Sequence, residues 1–203
     1  MSAFARARDR LLEVPLVYRL WQAPFAGRKL MPFLERVGPL EGRRLLDVGC
    51  GPGTNAPALA AADYVGIDIN PEYIATAQRR FGGRFLVGDV SDPSVLPDER
   101  FDIVFANSLM HHLPDDATDR LIGRMAAITA PEGRVHVLDL VLPDRWSPAK
   151  LLARLDRGQH PRPVAEWHAL FGRHCRIEHA EVYALGLPGV PLWWMIYLVG
   201  ARK

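Results

Sequence analysis

Residues 45–56, LLDVGCGPGTNA, constrain the fold of this chain more than any other stretch. An apolar run ends in one carboxylate, Asp47. Three glycines follow at alternating positions: Gly49, Gly51 and Gly53. Glycine has no Cβ and adopts positive φ without steric cost, so a ligand can approach the backbone of such a turn closely. The pattern predicts a buried strand, a ligand-binding glycine turn and a helix that begins near Thr54.

Strand and helix patterns alternate along the rest of the chain. Runs rich in β-branched and aromatic residues predict strands at residues 43–48, 64–69, 84–89, 101–108 and 133–141. Apolar residues at helical spacing predict helices that start near residue 57 and that cover residues 71–81 and 115–129. This alternation indicates a mostly parallel sheet. The last two strand patterns, 176–185 and 192–202, predict an antiparallel pair at its edge.

The composition favours one α/β domain and argues against some partners. The chain has 203 residues, of which 49% are hydrophobic and 24% are charged, enough to bury a core within a single domain. Lys and Arg number 25 against 23 Asp and Glu, without a block of like charge, so we expect no nucleic-acid partner. The two cysteines, Cys50 and Cys175, suggest neither a disulfide framework nor a metal site.

Neither end of the sequence predicts a membrane segment. The first residues, MSAFARARDRLLEV, intersperse arginines among apolar residues and lack the continuous apolar run of a signal peptide. The apolar stretch at residues 185–200 is interrupted by Pro188 and Pro191 and is shorter than the roughly 20 residues that span a bilayer. We therefore expect a cytoplasmic protein.

A second acid identifies the kind of ligand that the glycine turn binds. Asp68 ends the next predicted strand, 19 residues after Gly49. In a doubly wound sheet, an acid at this position accepts hydrogen bonds from the hydroxyls of a ribose. The turn and Asp68 together therefore predict a cofactor that contains a nucleoside.

The sequence of the turn distinguishes between the nucleoside cofactors. A dinucleotide site has the pattern GxGxxG, whereas here the pattern is GxGxG and Thr54 occupies the position of the third glycine. Asp47 would repel a pyrophosphate but would attract an ammonium group and a sulfonium. Both features favour S-adenosylmethionine over a nicotinamide dinucleotide.

These segments resemble a known family. The sequence DVGCGPG, followed by GIDI, GDV and FDIVFANSLMHHL, is similar to the class I S-adenosylmethionine-dependent methyltransferases, in particular to their small-molecule branch. The resemblance covers roughly residues 40–140. It implies a Rossmann-like, seven-stranded, mostly parallel sheet with helices on both faces, an antiparallel last strand and an N-terminal helical cap. It also implies methyl transfer by in-line displacement to an oxygen, nitrogen or carbon of a small organic molecule.

The resemblance implies which residues contact the methionyl part of the cofactor. Gly49, Gly51 and Gly53 would approach it closely, and Asp47 would bind its amine directly or through water. Asn107, after the fourth predicted strand, would present its backbone nearby.

Other positions would bind the nucleoside. Asp68 would hold the ribose hydroxyls, and Ile69 would pack on the adenine face. Asp89 would accept a hydrogen bond from the adenine amino group, while the Val90 backbone contacts the ring. For Asp89 the sequence DVSDP leaves another interpretation open, a carboxylate that caps a turn.

Candidate catalytic and substrate-binding residues follow less directly from the sequence. A general base is needed only when the nucleophile arrives protonated, and His111 or His112 could supply it. Neighbours on a regular element point in different directions, so at most one of the two is expected to face the cofactor. Further candidates lie in predicted helices or in the segment after the fifth strand: Tyr18, Trp21, His160 and His168.

We treat residues 1–203 as a single methyltransferase domain with four segments. Residues 1–40 are predicted to form an N-terminal helical lid and residues 41–142 the cofactor-binding core. Residues 143–173 are predicted to form a substrate-lid insertion, and residues 174–203 a terminal strand pair.

The acceptor is predicted only as a class. NSLM follows the fourth strand in place of the Pro-Pro-aromatic motif of adenine methyltransferases, which disfavours nucleic acid. A small organic acceptor with apolar character is expected. The basic stretch LARLDRGQHPRP is compatible with an acidic group on the acceptor or with a solvated loop.

Several alternatives stay open at this point. The same fold and cofactor would serve a non-methylating elimination or rearrangement, or a protein that binds the cofactor without catalysis. A nicotinamide oxidoreductase is a more distant alternative. The sequence does not distinguish a monomer from a homodimer.

Overall fold

The computed structural model describes residues 27–92, 94–95, 99–155, 158–187 and 189–203. Tyr18 and Trp21 lie outside these residues. The strands are β1 (Arg44–Val48), β2 (Asp63–Asp68), β3 (Arg84–Val87), β4 (Phe101–Asn107), β5 (Thr129–Val141), β6 (Cys175–Leu187) and β7 (Val190–Arg202). The helices are α1 (27–37), α2 (Ala56–Leu59), α3 (Pro71–Phe81), α4 (Asp115–Ile128), α5 (Pro148–Leu155) and α6 (Val164–His174). A short 3-10 helix covers Met110–His112.

The strands form one sheet of seven in the order β3-β2-β1-β4-β5-β7-β6. Strands β1 to β5 pair in parallel, whereas β7 is antiparallel to both of its neighbours, β5 and β6. The predicted seven-stranded, mostly parallel sheet with an antiparallel last strand is confirmed. The strand order reverses direction between β1 and β4, and such a reversal opens a crevice at the carboxyl ends of the two strands. We call this the switch-point crevice.

Alternate residues of the central strands enter the cores on opposite faces of the sheet. Leu45 and Phe105 pack in the core beside α1, whereas their neighbours Leu46 and Ala106 pack in the core beside α4 and α6. The buried Phe33 ring of α1 lies 4.5 Å from the Phe105 ring. Because the central strands are buried on both faces, they are almost continuously apolar, as parallel strands usually are.

The described parts of both predicted lid segments contribute to the core. In the 1–40 segment, α1 packs on the sheet through Leu30 and Phe33. In the 143–173 segment, α6 buries Trp167 completely, and α5 packs through Ala153. None of the described helices is long and apolar enough to cross a membrane.

Some element boundaries agree with the sequence prediction, and others differ from it. Helix α3 begins and ends where predicted, because the Asn70 side chain accepts hydrogen bonds from the first-turn backbone and Gly82 ends the helix at φ 63°. Strand β5 begins at Thr129 rather than at residue 133, with a register shift against β4 between Phe101 and Ile103. That irregularity is a long-range pairing, so local sequence did not indicate it.

Candidate active site

The glycine turn lies at the carboxyl end of β1, in the switch-point crevice. Its three glycines have φ of 70°, 54° and 78° in chain order. A Cβ on Gly49 would lie 2.8 Å from the Leu109 side chain, and one on Gly53 would lie 2.8 Å from the Phe81 ring. A Cβ on Gly51 would meet nothing within 4 Å. Packing within the protein therefore accounts for two of the glycines, while the space beside the third is open to a ligand.

Asp47 is fully buried beneath this turn. Its Oδ2 accepts hydrogen bonds from the Tyr64 hydroxyl at 2.8 Å and from Asn55 Nδ2 at 3.3 Å. Its Oδ1 is buried and has no partner among the described residues. Burial raises the pKa of Asp47 to about 7, although the bonds from Tyr64 and Asn55 act in the opposite direction. The site thus contains a carboxylate with one unused acceptor atom.

Polar side chains connect the glycine turn to the end of β4. Asn107 Nδ2 donates to Asn55 Oδ1 at 3.2 Å, and the Ser108 hydroxyl donates to Asn107 Oδ1 at 3.2 Å. Ser108 has a φ of 55°, a left-handed conformation that is uncommon outside glycine. Sequence reasoning missed Asn55 and Tyr64. Asn55 precedes α2 but caps no backbone group with its side chain, which leaves that side chain to Asp47 and Asn107.

Asp68 ends β2 on the far side of the turn from β4. Its Oδ2 accepts from the Gly51 backbone N–H and its Oδ1 from the Asn70 N–H, both at 2.9 Å. Next to it, Ile69 is 71% exposed, and Val87 at the end of β3 is 55% exposed. Apolar side chains with this exposure offer a surface on which a flat ring can pack. Sequence reasoning had not identified Val87.

Asp89 and Val90 follow β3. The Ser91 backbone N–H and hydroxyl both donate to Asp89 Oδ1, at 2.9 and 2.6 Å. One carboxylate oxygen thus caps the turn, as the second interpretation of DVSDP predicted. Oδ2 of the exposed Asp89 has no partner among the described residues. Val90 is buried in the core, so its side chain is directed to packing.

His111 forms a buried pair with Asp139 of β5. Its Nδ1 lies 2.5 Å from Asp139 Oδ1. The same carboxylate accepts from the backbone N–H groups of Met110 and Leu140, each at 2.7 Å. Burial alone would raise the pKa of Asp139, but the contacts with His111 and the two N–H groups hold it below its usual value. The acid was missed in sequence reasoning, although a lone carboxylate inside the apolar run VHVLDLV was a signal.

His112 lies beside His111 but in a different environment. Whereas His111 is buried, His112 is exposed. The centroids of the two rings are 4.1 Å apart in the 3-10 helix. The two side chains therefore lie side by side and do not diverge as neighbours on a regular element do. Since His111 is buried against the core acid Asp139 and His112 is exposed, the structure separates two residues that the sequence left equivalent.

The other two candidate histidines, His160 and His168, differ in their contacts with the 3-10 helix. The His160 backbone N–H donates to the His111 carbonyl at 2.9 Å, so the segment after α5 packs against the 3-10 helix. His168 lies in α6, the helix that packs in the core through Trp167 and Phe171. No described contact joins His168 to the site.

Arg162, in the basic stretch, is buried and hydrogen-bonded within the protein, so its guanidinium is not available to bind an acceptor. It is 2% exposed. Its guanidinium donates to Asp115 Oδ1 and the Thr118 hydroxyl, and to the carbonyls of Met110 and Leu113. These bonds fix the 3-10 helix relative to the start of α4. Arg157 lies outside the described residues.

Known proteins share this sequence and fold. A family model described as a methyltransferase domain matches residues 45–133. The trans-aconitate 2-methyltransferase of Methylobacterium radiotolerans is 33% identical over 182 residues, which cover 84% of this chain and 67% of the relative. That of Variovorax paradoxus is 32% identical over 197 residues, which cover 90% of this chain and 71% of the relative. The chain thus spans about two thirds of the length of these relatives.

Solved structures of methyltransferases share the fold of this chain. Magnesium protoporphyrin IX methyltransferase from Synechocystis, with S-adenosylhomocysteine bound, superposes with a TM-score of 0.70 at 18% identity, over 99% of this chain and 95% of that one. Mitomycin 7-O-methyltransferase superposes with a TM-score of 0.65 at 20% identity, over 100% of this chain and 61% of that one. With the sequence similarity, the sheet order and the glycine turn, they show that the chain belongs to the class I S-adenosylmethionine-dependent methyltransferases and uses S-adenosylmethionine as its cofactor.

Proposed function

We propose that this methyltransferase binds S-adenosylmethionine in the switch-point crevice and methylates a small organic acceptor that arrives protonated. The observation that carries the cofactor pose is the buried Oδ1 of Asp47, which has no partner among the described residues. An unpaired buried acceptor is costly, and an ammonium group would satisfy it with a charge-assisted hydrogen bond. The cofactor's methionyl amine is such a group.

The rest of the crevice fits the other parts of the cofactor. The open space beside Gly51 admits the methionyl backbone. Asp68 keeps lone pairs for the ribose hydroxyls after it has accepted two backbone N–H groups. The exposed Ile69 and Val87 supply apolar surface for the adenine. Asp89 Oδ2 is the atom that we assign to the adenine amino group, with the Val90 backbone beside the ring.

The pair of His111 and Asp139 supports an acceptor that must lose a proton. When bound, the cofactor supplies an electrophilic methyl group on a sulfonium. Asp139 is ionised, because its pKa is lowered, and it therefore accepts the hydrogen on His111 Nδ1. The lone pair of the ring then lies on Nε2, the atom that would take the proton from an acceptor hydroxyl. Asp139 orients the ring and stabilises the imidazolium that forms.

The acceptor class follows from this assignment and from the relatives. A hydroxyl needs a base, whereas the relatives are named for trans-aconitate, a carboxylic acid whose carboxylate needs none. Hydroxylated small molecules are therefore our first candidates, and small carboxylic acids are the second. Beyond the carboxyl end of β5, Trp146 is 79% and Leu151 is 50% exposed, which supports an acceptor with an apolar part. We do not expect nucleic acid as an acceptor.

Calorimetric titration tests the proposed cofactor pose. Wild-type protein should bind S-adenosylmethionine and S-adenosylhomocysteine but not NADH. Asp68→Ala should weaken both affinities by at least about tenfold, since a charge-assisted hydrogen bond to the ribose is lost. Asp63→Ala is the matched control, because Asp63 begins the strand that Asp68 ends. Equal affinities in the two variants would refute the assignment of Asp68.

A screen of acceptors, read by mass spectrometry, tests the reaction. Transfer adds one methyl group to the product, whereas an elimination or rearrangement does not. Turnover with hydroxylated acceptors that depends on His111 would support the proposal. Turnover confined to carboxylic acids and independent of His111 would favour the second acceptor class.

A further inference from the structure

A second cleft opens at the amino ends of the parallel strands, whereas the switch-point crevice lies at their carboxyl ends. It has a volume of about 230 Å³. It lies where α1 ends, β1 and β6 begin and β7 ends, and β5 contributes Arg134 and His136 to it. Its charged and imidazole-bearing lining residues are Arg36, Arg43, Arg134, His136, Glu178 and His179. We call it the basal cleft.

The positive charge of the basal cleft exceeds its negative charge. Glu178 accepts a hydrogen bond from Arg134 Nε at 2.5 Å, which neutralises one arginine. His179 lies 3.2 Å from Glu181. Within the described residues, the Arg43 guanidinium donates only to a backbone carbonyl, that of Val37, at 2.7 Å.

Neither Arg36 nor Arg43 has a carboxylate partner in the part of the chain that the structure describes. Of the three arginines that line the cleft, Arg134 is thus paired with Glu178, whereas two guanidinium charges lack a carboxylate partner among the described residues. Such an arrangement attracts anions, and guanidinium groups match the geometry of oxyanions well.

His136 adds an unused donor to the wall of this cleft. It is 3% exposed, and its Nδ1 lies 2.8 Å from the Tyr197 hydroxyl. Its Nε2 is buried and has no partner among the described residues. Burial, with Arg43 and Arg134 nearby, lowers the pKa of His136 to about 3, so the ring is neutral near pH 7.

The tautomer of His136 follows from its partner. Burial raises the pKa of Tyr197, so its hydroxyl keeps its hydrogen. Among the described residues, His136 Nδ1 is the one acceptor within reach of that hydrogen. When that hydroxyl donates to Nδ1, the ring hydrogen lies on Nε2. The wall of the basal cleft then contains a buried N–H that no described residue satisfies, and Arg36 and Arg43 line the same cleft. Buried donors of this kind normally have a partner.

We propose that the basal cleft binds a phosphate group, with Arg36, Arg43 and His136 Nε2–H as its donors. A phosphate carries a charge of about −1.5 to −2 near pH 7, which matches the two uncompensated guanidinium groups. Inorganic phosphate and a small phosphomonoester present the same chemistry. This site is separate from the methyl-transfer site and does not depend on the function proposed above.

Titration of the full chain with sodium phosphate tests the proposal, with chloride used to hold the ionic strength constant. Calorimetry reports affinity, and ¹⁵N spectra of the histidine side chains report whether His136 Nε2 changes. Saturable binding with a shift of the His136 signal is expected. Absence of saturation by about 50 mM phosphate, where a site with two guanidinium donors should be filled, would overturn the proposal, as would binding that leaves the His136 signal unchanged.

Matched variants locate the site. Arg36→Glu should weaken phosphate binding by at least about tenfold, because attraction becomes repulsion. Arg79→Glu makes the same change of charge on the exposed end of α3 and should alter the affinity by less than about twofold. If the two variants behaved alike, the basal cleft would not be the site. Arg36→Gln removes the charge without reversing it and serves in place of Arg36→Glu if that variant perturbs folding. Arg36→Gln should still bind phosphate more weakly than Arg79→Glu does.

Two further ligands identify the source of the phosphate group. Glucose 6-phosphate binding at least as tightly as inorganic phosphate would support a phosphorylated small molecule. Binding of inorganic phosphate alone would support the free ion. Succinate binding as tightly as either would overturn phosphate as the ligand. The affinity for S-adenosylmethionine should stay within about twofold in Arg36→Glu, since the two sites lie at opposite ends of the strands.

Discussion

At the scale of single residues, the two acids that end β1 and β2 have different surroundings and different proposed tasks. Asp47 is fully buried, and one of its carboxylate oxygens has no partner among the described residues. Asp68 is partly exposed and accepts two backbone N–H groups. The buried acid suits a cation, because low-dielectric surroundings strengthen the ion pair. The more exposed acid suits neutral hydroxyls.

The raised pKa of Asp47 predicts that cofactor affinity depends on pH. An ammonium group binds the ionised carboxylate, so below about pH 7 binding must first remove a proton. The dissociation constant of S-adenosylmethionine should rise about tenfold per pH unit as pH falls from 7 to about 5.5. Calorimetry at several pH values measures this. A constant affinity between pH 5.5 and 8 would contradict the assignment of Asp47.

The same carboxyl group should make the folded protein less stable as pH rises, whereas it makes cofactor binding stronger. Its pKa in the folded protein, about 7, is above the ordinary value of 3.8, so folding favours the protonated form. Stability is therefore lost as pH rises from about 4 to about 7, at about 1.4 kcal/mol per unit. Asp47→Asn should remove this slope in denaturation measurements and should also weaken cofactor binding at pH 8.

The buried pair of His111 and Asp139 predicts a loss of rate without a loss of cofactor affinity. Asp139→Asn and His111→Gln should each lower kcat by about 100-fold or more, in the range of a lost general base. Residual activity should rise with pH as hydroxide replaces the base. The dissociation constant of S-adenosylmethionine should stay within about twofold.

The surface pair of His174 and Asp119 is the matched control for this experiment. His174 Nε2 lies 3.2 Å from Asp119 Oδ1, and both side chains are about 30% exposed. Asp119→Asn should leave kcat nearly unchanged. His112→Ala separates the neighbouring histidines, because a loss of rate in that variant but not in His111→Gln would reverse our assignment.

At the scale of elements, the glycine turn combines a steric and a binding requirement. Gly49 and Gly53 are needed because side chains of Leu109 and Phe81 fill the space that a Cβ would take. Gly51 has open space beside it. The turn therefore fits its neighbours on two sides and leaves one side to the ligand.

A pair of alanine variants separates these requirements. Gly51→Ala and Gly42→Ala both place a Cβ at positive φ, 54° and 73°, with nothing within 4 Å. Each should cost about 1 kcal/mol of stability from backbone strain. Only Gly51→Ala should also weaken cofactor binding, by at least about tenfold, because its methyl group occupies space that the cofactor needs. Equal binding in both would show that the ligand does not approach Gly51.

The 3-10 helix that carries His111 depends on Arg162 for its position. Arg162→Met should destabilise the protein by about 3 kcal/mol or more, since buried carbonyls of Met110 and Leu113 lose their donor. Arg154→Met on the exposed face of α5 should change stability by less than about 0.5 kcal/mol. Chemical denaturation measures both. A small effect of Arg162→Met would mean that water replaces the guanidinium.

At the scale of the whole molecule, the sheet order assembles a site from distant parts of the chain. The carboxyl ends of β1, β2, β3 and β4 meet at one edge of the sheet, and β5 adds Asp139 to it. Binding across several strands couples the ligand to global stability, because the unfolded chain has no such site.

Ligand-dependent unfolding should therefore distinguish the cofactors. S-adenosylmethionine at 100 times its dissociation constant should stabilise the protein by about 2.7 kcal/mol. S-adenosylhomocysteine should act in the same sense, and NADH should have no effect. Stabilisation by NADH alone would contradict the interpretation of the GxGxG turn.

Much of the fold could be predicted from sequence because its signals are local. The periodicity of residues 71–81 predicted α3 correctly, since Asn70 and Gly82 mark its ends within the segment itself. The early start of β5 was missed because pairing with β4 creates it. The division into four segments remains a prediction. The packing of α1 and α6 in the core was likewise not apparent locally, since an amphipathic helix suits a lid and a core equally.

The sequence by itself determined the family and the cofactor, because the spacing of glycines and acids along residues 45–68 already carries the sterics and the charge that S-adenosylmethionine requires. Only the tertiary structure decided which atoms have partners. His111 and His112 became distinct when Asp139, 28 residues away from His111, met one of them. Asp47 acquired its raised pKa from burial, and Tyr64 became its partner from the neighbouring strand. Burial and long-range contact arise only when the chain folds, so no local pattern could contain them.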